Sequence, residues 1–300
     1  MTKKRKTDEP FAWLQVHKQF LLDEVRNKSY RLAISRAASP QKTAIEIGGG
    51  TGILSFFAAK AGFKRVVSVE KSSLALYSRK VAQDNQLDHQ VEFIQADIFK
   101  LKNMERHDLL IHEQIGDFVW DEDMLKKVSF AKKNFLKQDG QILPYKIDFF
   151  LVPVSLPGRG KNPFFWEQPR YGISFRKFLE LEEAQNESKP IIKGLRLNSK
   201  NAFLAKPKKL STVDFYKTEK VPEKLSATFK LNSQRILTGF LGYMEVHLDP
   251  KNRFSTAPGS GVHWQQLYLS LPTGRIIPKS EVKIELFPSV HPKDWSWNVF

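Results

Sequence analysis

Apolar residues recur at helical spacing over residues 10–37, where Phe11, Trp13, Leu14, Phe20, Leu21 and Val25 form a stripe that predicts a helix with a core or lid face. The period then shortens. Residues 43–47 (TAIEI) predict a strand, 53–60 a helix, 65–70 a second strand, and 72–85 a helix with Ser72 or Ser73 as its N-cap. Residues 91–96 alternate as a third strand, 108–113 form a fourth, 121–135 read as helix, and a further strand starts within 141–153. Strands alternating with helices predict a parallel sheet covered by helices on both faces. Near Leu151 the pattern changes, and Pro153, Pro157, Gly158, Gly160 and Pro163 mark a break. Beyond it a helix is expected over 174–185. Alternating stretches at 236–248, 262–271 and 282–286 then predict antiparallel strands of a sandwich or barrel. A boundary near 150 gives units 1–150 and 151–300.

Composition narrows the setting. The 300 residues are 41% hydrophobic and 27% charged, a globular balance with enough chain for a sizeable core. No apolar run approaches the roughly 20 residues of a membrane span, and MTKKRKTDEP lacks the apolar core of a secretory signal. With no cysteine there is no disulfide framework, no cysteine-bound zinc and no thiol nucleophile, which fits an intracellular protein, cytoplasmic or, in a eukaryote, nuclear. No metal site is expected. Lys3-Lys4-Arg5-Lys6 reads as a disordered basic tail, with a nuclear-import tag as the alternative. The net charge is +16, and residues 191–240 alone carry 11 basic and 3 acidic side chains. Such a second half either contacts nucleic acid or acidic partners, or only aids solubility.

The chemistry starts at the turn after the first strand. Gly48-Gly49-Gly50-Thr51-Gly52 has almost no side chains and opens a helix, so backbone N–H groups can approach a ligand closely. The dinucleotide pattern G-x-G-x-x-G fails, because Ile53 stands where its third glycine would be. The pattern present is Glu46-x-Gly48-x-Gly50-x-Gly52, with Glu70 ending the next strand 24 residues after Glu46 and Asp97 following the third. A carboxylate at Glu70 suits ribose hydroxyls, and one at Asp97 an adenine amino group. Glu46 in the loop disfavours a pyrophosphate. The reading is a cradle for S-adenosyl-L-methionine.

A second feature is the loop 112–125, HEQIGDFVWDEDML. Glu113 ends the fourth strand. Nine residues later Glu122 opens the next helix, and Gly116 lets the loop turn back. Two carboxylates facing one crevice repel unless a cation lies between them, and a guanidinium matches them bidentately. The other reading is an exposed acidic loop in which Glu122 serves the helix N-terminus.

At these residues the chain resembles the protein arginine N-methyltransferases. Four blocks carry the resemblance: HKQFLLDEVRNKSY (17–30), EIGGGTGILSFFAAKAG (46–62) with VSVE (67–70), the loop 112–125, and FSTAPGSGVHWQQ (254–266). It implies a Rossmann-like S-adenosylmethionine-dependent methyltransferase domain, then an antiparallel β-barrel domain with an inserted helical dimerisation arm at about 164–190. The implied activity is methyl transfer to the guanidinium nitrogen of arginine in a protein substrate, by a homodimer. Arg26 would hold the methionine carboxylate of the donor, and Met124 would pack near its sulfonium and adenosine. Glu113 and Glu122 would clamp the substrate arginine, and His263 would pair with Asp23 at the crevice mouth. Phe20 and Trp264 would bear on substrate and product choice, with Phe20 biasing toward mono- or symmetric methylation. The chain departs from the family at Val262, where threonine is usual, at Gln114, where tryptophan or leucine is usual, at His112, where serine is common, and in lacking tyrosines over 7–11. Two other readings stay open: a weakly active or inactive paralogue that partners an active enzyme, and a methyltransferase acting on RNA or a small amine.

Overall fold

The computed structural model describes residues 14–116, 119–156, 169–178, 192–232, 235–271, 280–291 and 294–300. Phe11, Trp13, most of the expected arm at about 164–190 and most of the helix over 174–185 lie outside these residues; within 169–178, Arg170 and Ile173 form an isolated antiparallel bridge.

The expected single N-terminal helix is two, α1 (Leu14–Leu22) and α2 (Glu24–Ala37), broken at Asp23. Asp23 leaves helical geometry and its side chain accepts from Arg26 N, so it caps α2. Described members of the stripe expected to pack are exposed, Leu14 at 71%, Leu21 at 47% and Val25 at 39%. The buried positions of these helices are His17, Arg26, Tyr30, Ala33, Ile34 and Ala37.

Next come β1 (Thr43–Ile47), α3 (Ile53–Lys60), β2 (Arg65–Glu70), α4 (Leu74–Asp84), β3 (Val91–Gln95), β4 (His107–His112), α5 (Met124–Phe135) and β5 (Leu136–Leu143). The strands form one parallel sheet in the order β3-β2-β1-β4-β5, the doubly wound arrangement whose reversal beside β1 opens a crevice beyond the carboxyl ends. The apolar runs of the inner strands β1, β2 and β4 are buried on both faces, as parallel strands require.

The expected strand within 141–153 is two strands separated at Pro144, whose peptide bond with Leu143 is cis. β6 (Lys146–Val154) leaves the parallel sheet, and residue 150 falls inside it. It joins an antiparallel sheet with β7 (Ile192–Leu195), β8 (Lys208–Asp214), β10 (Gly239–Asp249), β11 (Asn252–Ser255) and β12 (Gln266–Ser270), in the order β7-β12-β10-β6-β8 with β11 on β10. β9 (Leu225–Lys230), β13 (Glu281–Phe287) and β14 (Ser296–Val299) form a second antiparallel sheet. One core runs through both halves. Trp120, on the loop after β4, packs its ring 5.6 Å from Phe149 and 5.4 Å from Trp295. On the other side of the junction, Asn252 Nδ2 donates to Ser29 O at 2.7 Å, and Arg36 pairs with Asp249 at 3.0 Å.

Candidate active site

The glycine turn is forced by its surroundings. Gly48, Gly50 and Gly52 have φ of +70°, +53° and +80°, which side chains rarely adopt. A Cβ on Gly48 would lie 2.1 Å from Gln114 Nε2, one on Gly50 2.8 Å from His17 Cε1, and one on Gly52 2.6 Å from Phe93 Cζ. The turn thus lies against α1 on one side and the loop after β4 on the other. Glu70 steadies it: Oε2 accepts from Gly50 N at 3.0 Å and Oε1 from Ser72 N at 2.7 Å.

Glu46 does not point at the crevice. It is buried beneath the turn, where one oxygen accepts from Ser55 N at 3.0 Å, from the Ser55 hydroxyl, and from Ser68 Oγ at 3.4 Å. It therefore caps α3 from another element, since Gly52 has no side chain to do so. Burial raises its carboxyl to about 7, against the opposing pull of the Ser55 bonds. Asp97 also works locally: it caps the short turn Ile98–Lys100 through Phe99 N at 3.1 Å and meets Lys71 at 3.3 Å. The Phe99 bond leads the causes that hold its carboxyl below the ordinary value.

At the carboxyl end of β4, Arg26 Nη2 lies 3.1 Å from Glu113 Oε2. Arg26 is 3% exposed and sits 5.6 Å from the ring centroids of both Phe20 and Tyr30. Burial pulls its guanidinium toward neutrality, and the Glu113 carboxylate more than offsets that. Its Nη1 donates to Asn27 Oδ1 at 2.6 Å, while its Nε is buried without a partner. Tyr30 donates from its hydroxyl to His112 O at 3.1 Å, fixing α2 against the end of β4. His112 itself faces the core: its Nε2 meets Pro144 O at 3.1 Å, and burial lowers its pKa to about 3, so it stays neutral.

Glu122 precedes α5 rather than opening it. Glu122 and Asp123 both hold left-handed φ, 59° and 54°, and Met124 is the first helical residue. Two successive left-handed non-glycine residues carry strain, which collects where a loop is shaped for a task. Gly116 (φ +63°) makes the return possible, because a Cβ there would lie 2.7 Å from Asp121 Cβ. Met124 is fully buried.

The second half supplies His263. Its Nδ1 lies 2.7 Å from Asp23 Oδ2, and its backbone N donates to the same oxygen at 2.8 Å. Burial raises the Asp23 carboxyl, but the bonds from His263 and Arg26 outweigh it and hold the group below the usual carboxylate range. Phe20 sits between these parts, its ring centroid 4.7 Å from His263 and 5.6 Å from His17. Trp264 is in the core, stacked 5.3 Å from Phe254, where it holds the backbone next to His263.

Asp23, Arg26, Glu113, His263 and Phe20 thus form one connected cluster, with the glycine turn and Glu70 beside it. Sequence reasoning missed His17, which lies over Gly50. The signal was a histidine one helical turn before Phe20 on an otherwise apolar face.

Comparison with known proteins decides the lineage. A family model described as a methyltransferase domain matches residues 38–148. Protein arginine N-methyltransferase 1 of Caenorhabditis elegans is 31% identical over 287 residues, covering 91% of this chain and 80% of that protein. The chain belongs to the protein arginine N-methyltransferase family. Protein arginine N-methyltransferase 6 of Xenopus tropicalis is 29% identical, covering 90% of this chain and 85% of that protein. An open conformation of Arabidopsis thaliana protein arginine methyltransferase 10 shares the fold with a TM-score of 0.79 at 24% identity, over 92% of this chain and 88% of that one. A Trypanosoma brucei enzyme-prozyme heterotetrameric complex with AdoHcy shares it with a TM-score of 0.77 at 22% identity, over 96% and 94%.

The residues of this family member fit a donor of the S-adenosylmethionine type. The turn leaves no room for side chains, Glu70 offers carboxylate oxygens at its rim, and the buried, unpartnered Nε of Arg26 is a ready donor to a carboxylate. Among the described residues, the group able to hold a metal is Asp148, Glu245 and His247, on β6 and β10. There Thr212 Oγ1 (2.6 Å) and His247 Nε2 (3.0 Å) already contact Asp148, with Lys146 and Lys209 at 3.8 and 3.7 Å.

Proposed function

We propose that this protein transfers a methyl group from S-adenosylmethionine to a guanidinium nitrogen of arginine in protein substrates. The observation that carries the reading is Glu113, a carboxylate at the crevice end of β4 already engaged by a guanidinium, that of Arg26. When bound, S-adenosylmethionine supplies an electrophilic methyl on a sulfonium. The chain's part is to align the acceptor and exclude water. Glu113 and Glu122 orient the substrate guanidinium and favour the transition state, because positive charge moves toward the carboxylates as the methyl transfers. The methylated guanidinium must then lose a proton, which Glu122 or the His263–Asp23 pair accepts. Phe20, beside His263, limits the space around the acceptor and so bears on product type. Neither a base edge nor a small amine needs two carboxylates in this arrangement.

The same reading extends to assembly and partners. The protein assembles as a homodimer, to which the exposed apolar residues Leu14, Leu22 and Tyr77 lend a landing surface. The antiparallel half forms a barrel and starts at β6. A groove of about 480 Å³ lined by Lys206, Lys208 and Lys230 favours a nucleic-acid contact accompanying the substrate. Among the described residues no helix is long and apolar enough to cross a membrane; the protein works inside the cell, in cytoplasm or nucleus.

The test uses the pure protein, labelled S-adenosylmethionine and an Arg-Gly-rich peptide beside its Lys analogue. Transfer to the arginine peptide alone is expected, and Glu113→Gln is expected to lose at least a hundredfold in rate, about 2.7 kcal/mol of transition-state stabilisation. Near-wild-type rates in Glu113→Gln would remove the clamp assignment. Donor binding without transfer by the unmutated protein would favour the partner-paralogue reading.

A further inference from the structure

Buried polar side-chain atoms almost always have a partner, so those without one call for a reason. Among the described residues such atoms occur on Arg26 (Nε), His107, His112, Gln114 (Oε1) and Trp120. His107 begins β4, at the opposite end of the sheet from the crevice. His112 faces Phe215 and Pro144 in the core, and Trp120 lies between Phe149 and Trp295. The remaining two, Arg26 Nε and Gln114 Oε1, belong to the crevice. Arg26 is held there by Glu113. Gln114, the next residue, lays its amide so close over Gly48 that a Cβ there would strike it, at 2.1 Å from Nε2 and 2.7 Å from Cδ.

The two orphans are complementary in kind. One is an N–H on a cation and the other is a carbonyl oxygen. An α-amino acid presents the matching pair, a carboxylate and an ammonium. An ammonium has three donors and no acceptor, so it needs a bare oxygen, and among the side chains at the rim of this turn Gln114 offers one not already bonded. Glu113 lies beside Arg26 and faces the acceptor side of the crevice in the proposed reaction, and Glu70 holds Gly50 N and Ser72 N at the part of the rim read as the ribose side. We infer that Gln114 binds the ammonium of the donor's amino-acid moiety, working opposite Arg26, which takes the carboxylate. The inference rests on the S-adenosylmethionine reading of the site. It also gives a reason for the amide at a position where the family usually carries tryptophan or leucine. Neither of those side chains offers an acceptor to an ammonium, so this chain would read the amino-acid end of its donor with one more hydrogen bond.

Titration calorimetry separates this from a packing role. S-adenosylhomocysteine carries the amino-acid moiety; 5′-methylthioadenosine is the same thionucleoside without it. Gln114→Met keeps the length and removes the carbonyl. It is expected to weaken S-adenosylhomocysteine about tenfold or more, the loss of one bond to a charged group, while leaving 5′-methylthioadenosine within about twofold. Gln114→Glu keeps an acceptor oxygen and is expected to hold S-adenosylhomocysteine near the wild-type affinity. Unchanged S-adenosylhomocysteine affinity in Gln114→Met, or an equal loss of both ligands, overturns the inference. Failure of the unmutated protein to bind S-adenosylhomocysteine overturns the donor reading and this inference with it, and is recognisable because it appears before any substitution.

Discussion

Replacing Asp23 by asparagine asks whether one side chain joins the N-terminal helices to the second half of the chain. The carboxylate accepts three hydrogen bonds: Oδ1 from Arg26 N at 2.9 Å, and Oδ2 from His263 N at 2.8 Å and Nδ1 at 2.7 Å. Asparagine caps helices as well as aspartate does, so the bond to Arg26 survives. The NH₂ that replaces Oδ2 faces two donors. The imidazole can change tautomer and accept, but the His263 backbone N–H cannot. Asp23 is only 5% exposed, so water does not replace the lost acceptor. An orphaned buried donor costs roughly 1–3 kcal/mol, and the loss of a charge-assisted bond adds about 1 kcal/mol. The expected destabilisation is about 2–4 kcal/mol in urea unfolding at pH 7 followed by tryptophan fluorescence. A double-mutant cycle with His263→Ala should give a coupling of at least about 1 kcal/mol. The difference between wild type and variant also carries a pH signature. The Asp23 carboxyl is held below its unfolded value, so its contribution is present above about pH 4 and is lost as pH falls through the lower folded value. A coupling within about 0.3 kcal/mol of zero, the scatter of independent sites, would refute the reasoning.

Glu46→Gln should flatten part of the pH dependence of stability. The folded carboxyl titrates at about 7, above its unfolded value, so the wild-type group is neutral at no cost below about pH 4.5 and its burial costs about 3 kcal/mol once it is ionised above pH 7. The variant should therefore gain on wild type as pH rises from 5 to 7.5, read as a widening difference in melting temperature; a constant difference would show that Glu46 keeps its ordinary pKa. Gly50→Ala should lose roughly 2 kcal/mol and weaken S-adenosylhomocysteine in calorimetry, because φ is +53° and the new Cβ would lie 2.8 Å from His17. An unchanged melting temperature would mean that the turn relaxes freely.

What the sequence could reveal depended on how far each property is local. Alternation and helical period depend on neighbours in the chain, so the parallel sheet, its crevice and the change of pattern near 150 were legible. Local chemistry also marked the glycine turn. The break at Asp23 was not legible from period alone, because an aspartate inside a helical stripe reads as a tolerated polar residue. It becomes a cap because His263, 240 positions away, gives its carboxylate two further bonds. Residue type placed Glu46 and Asp97 near a ligand, but type does not fix direction. Glu46 turns under the loop because α3 begins at a glycine and needs an acceptor from elsewhere. The same limit hid His17, and left Gln114 as no more than a departure from the family pattern. Each acquires its meaning from a glycine on another element: Gly50 admits the imidazole, and Gly48 admits the amide. The missing Cβ atoms therefore do two jobs. They let the turn adopt left-handed backbone, and they leave space that neighbouring polar side chains enter, so the selectivity of the site is carried as much by what leans on the turn as by the turn itself.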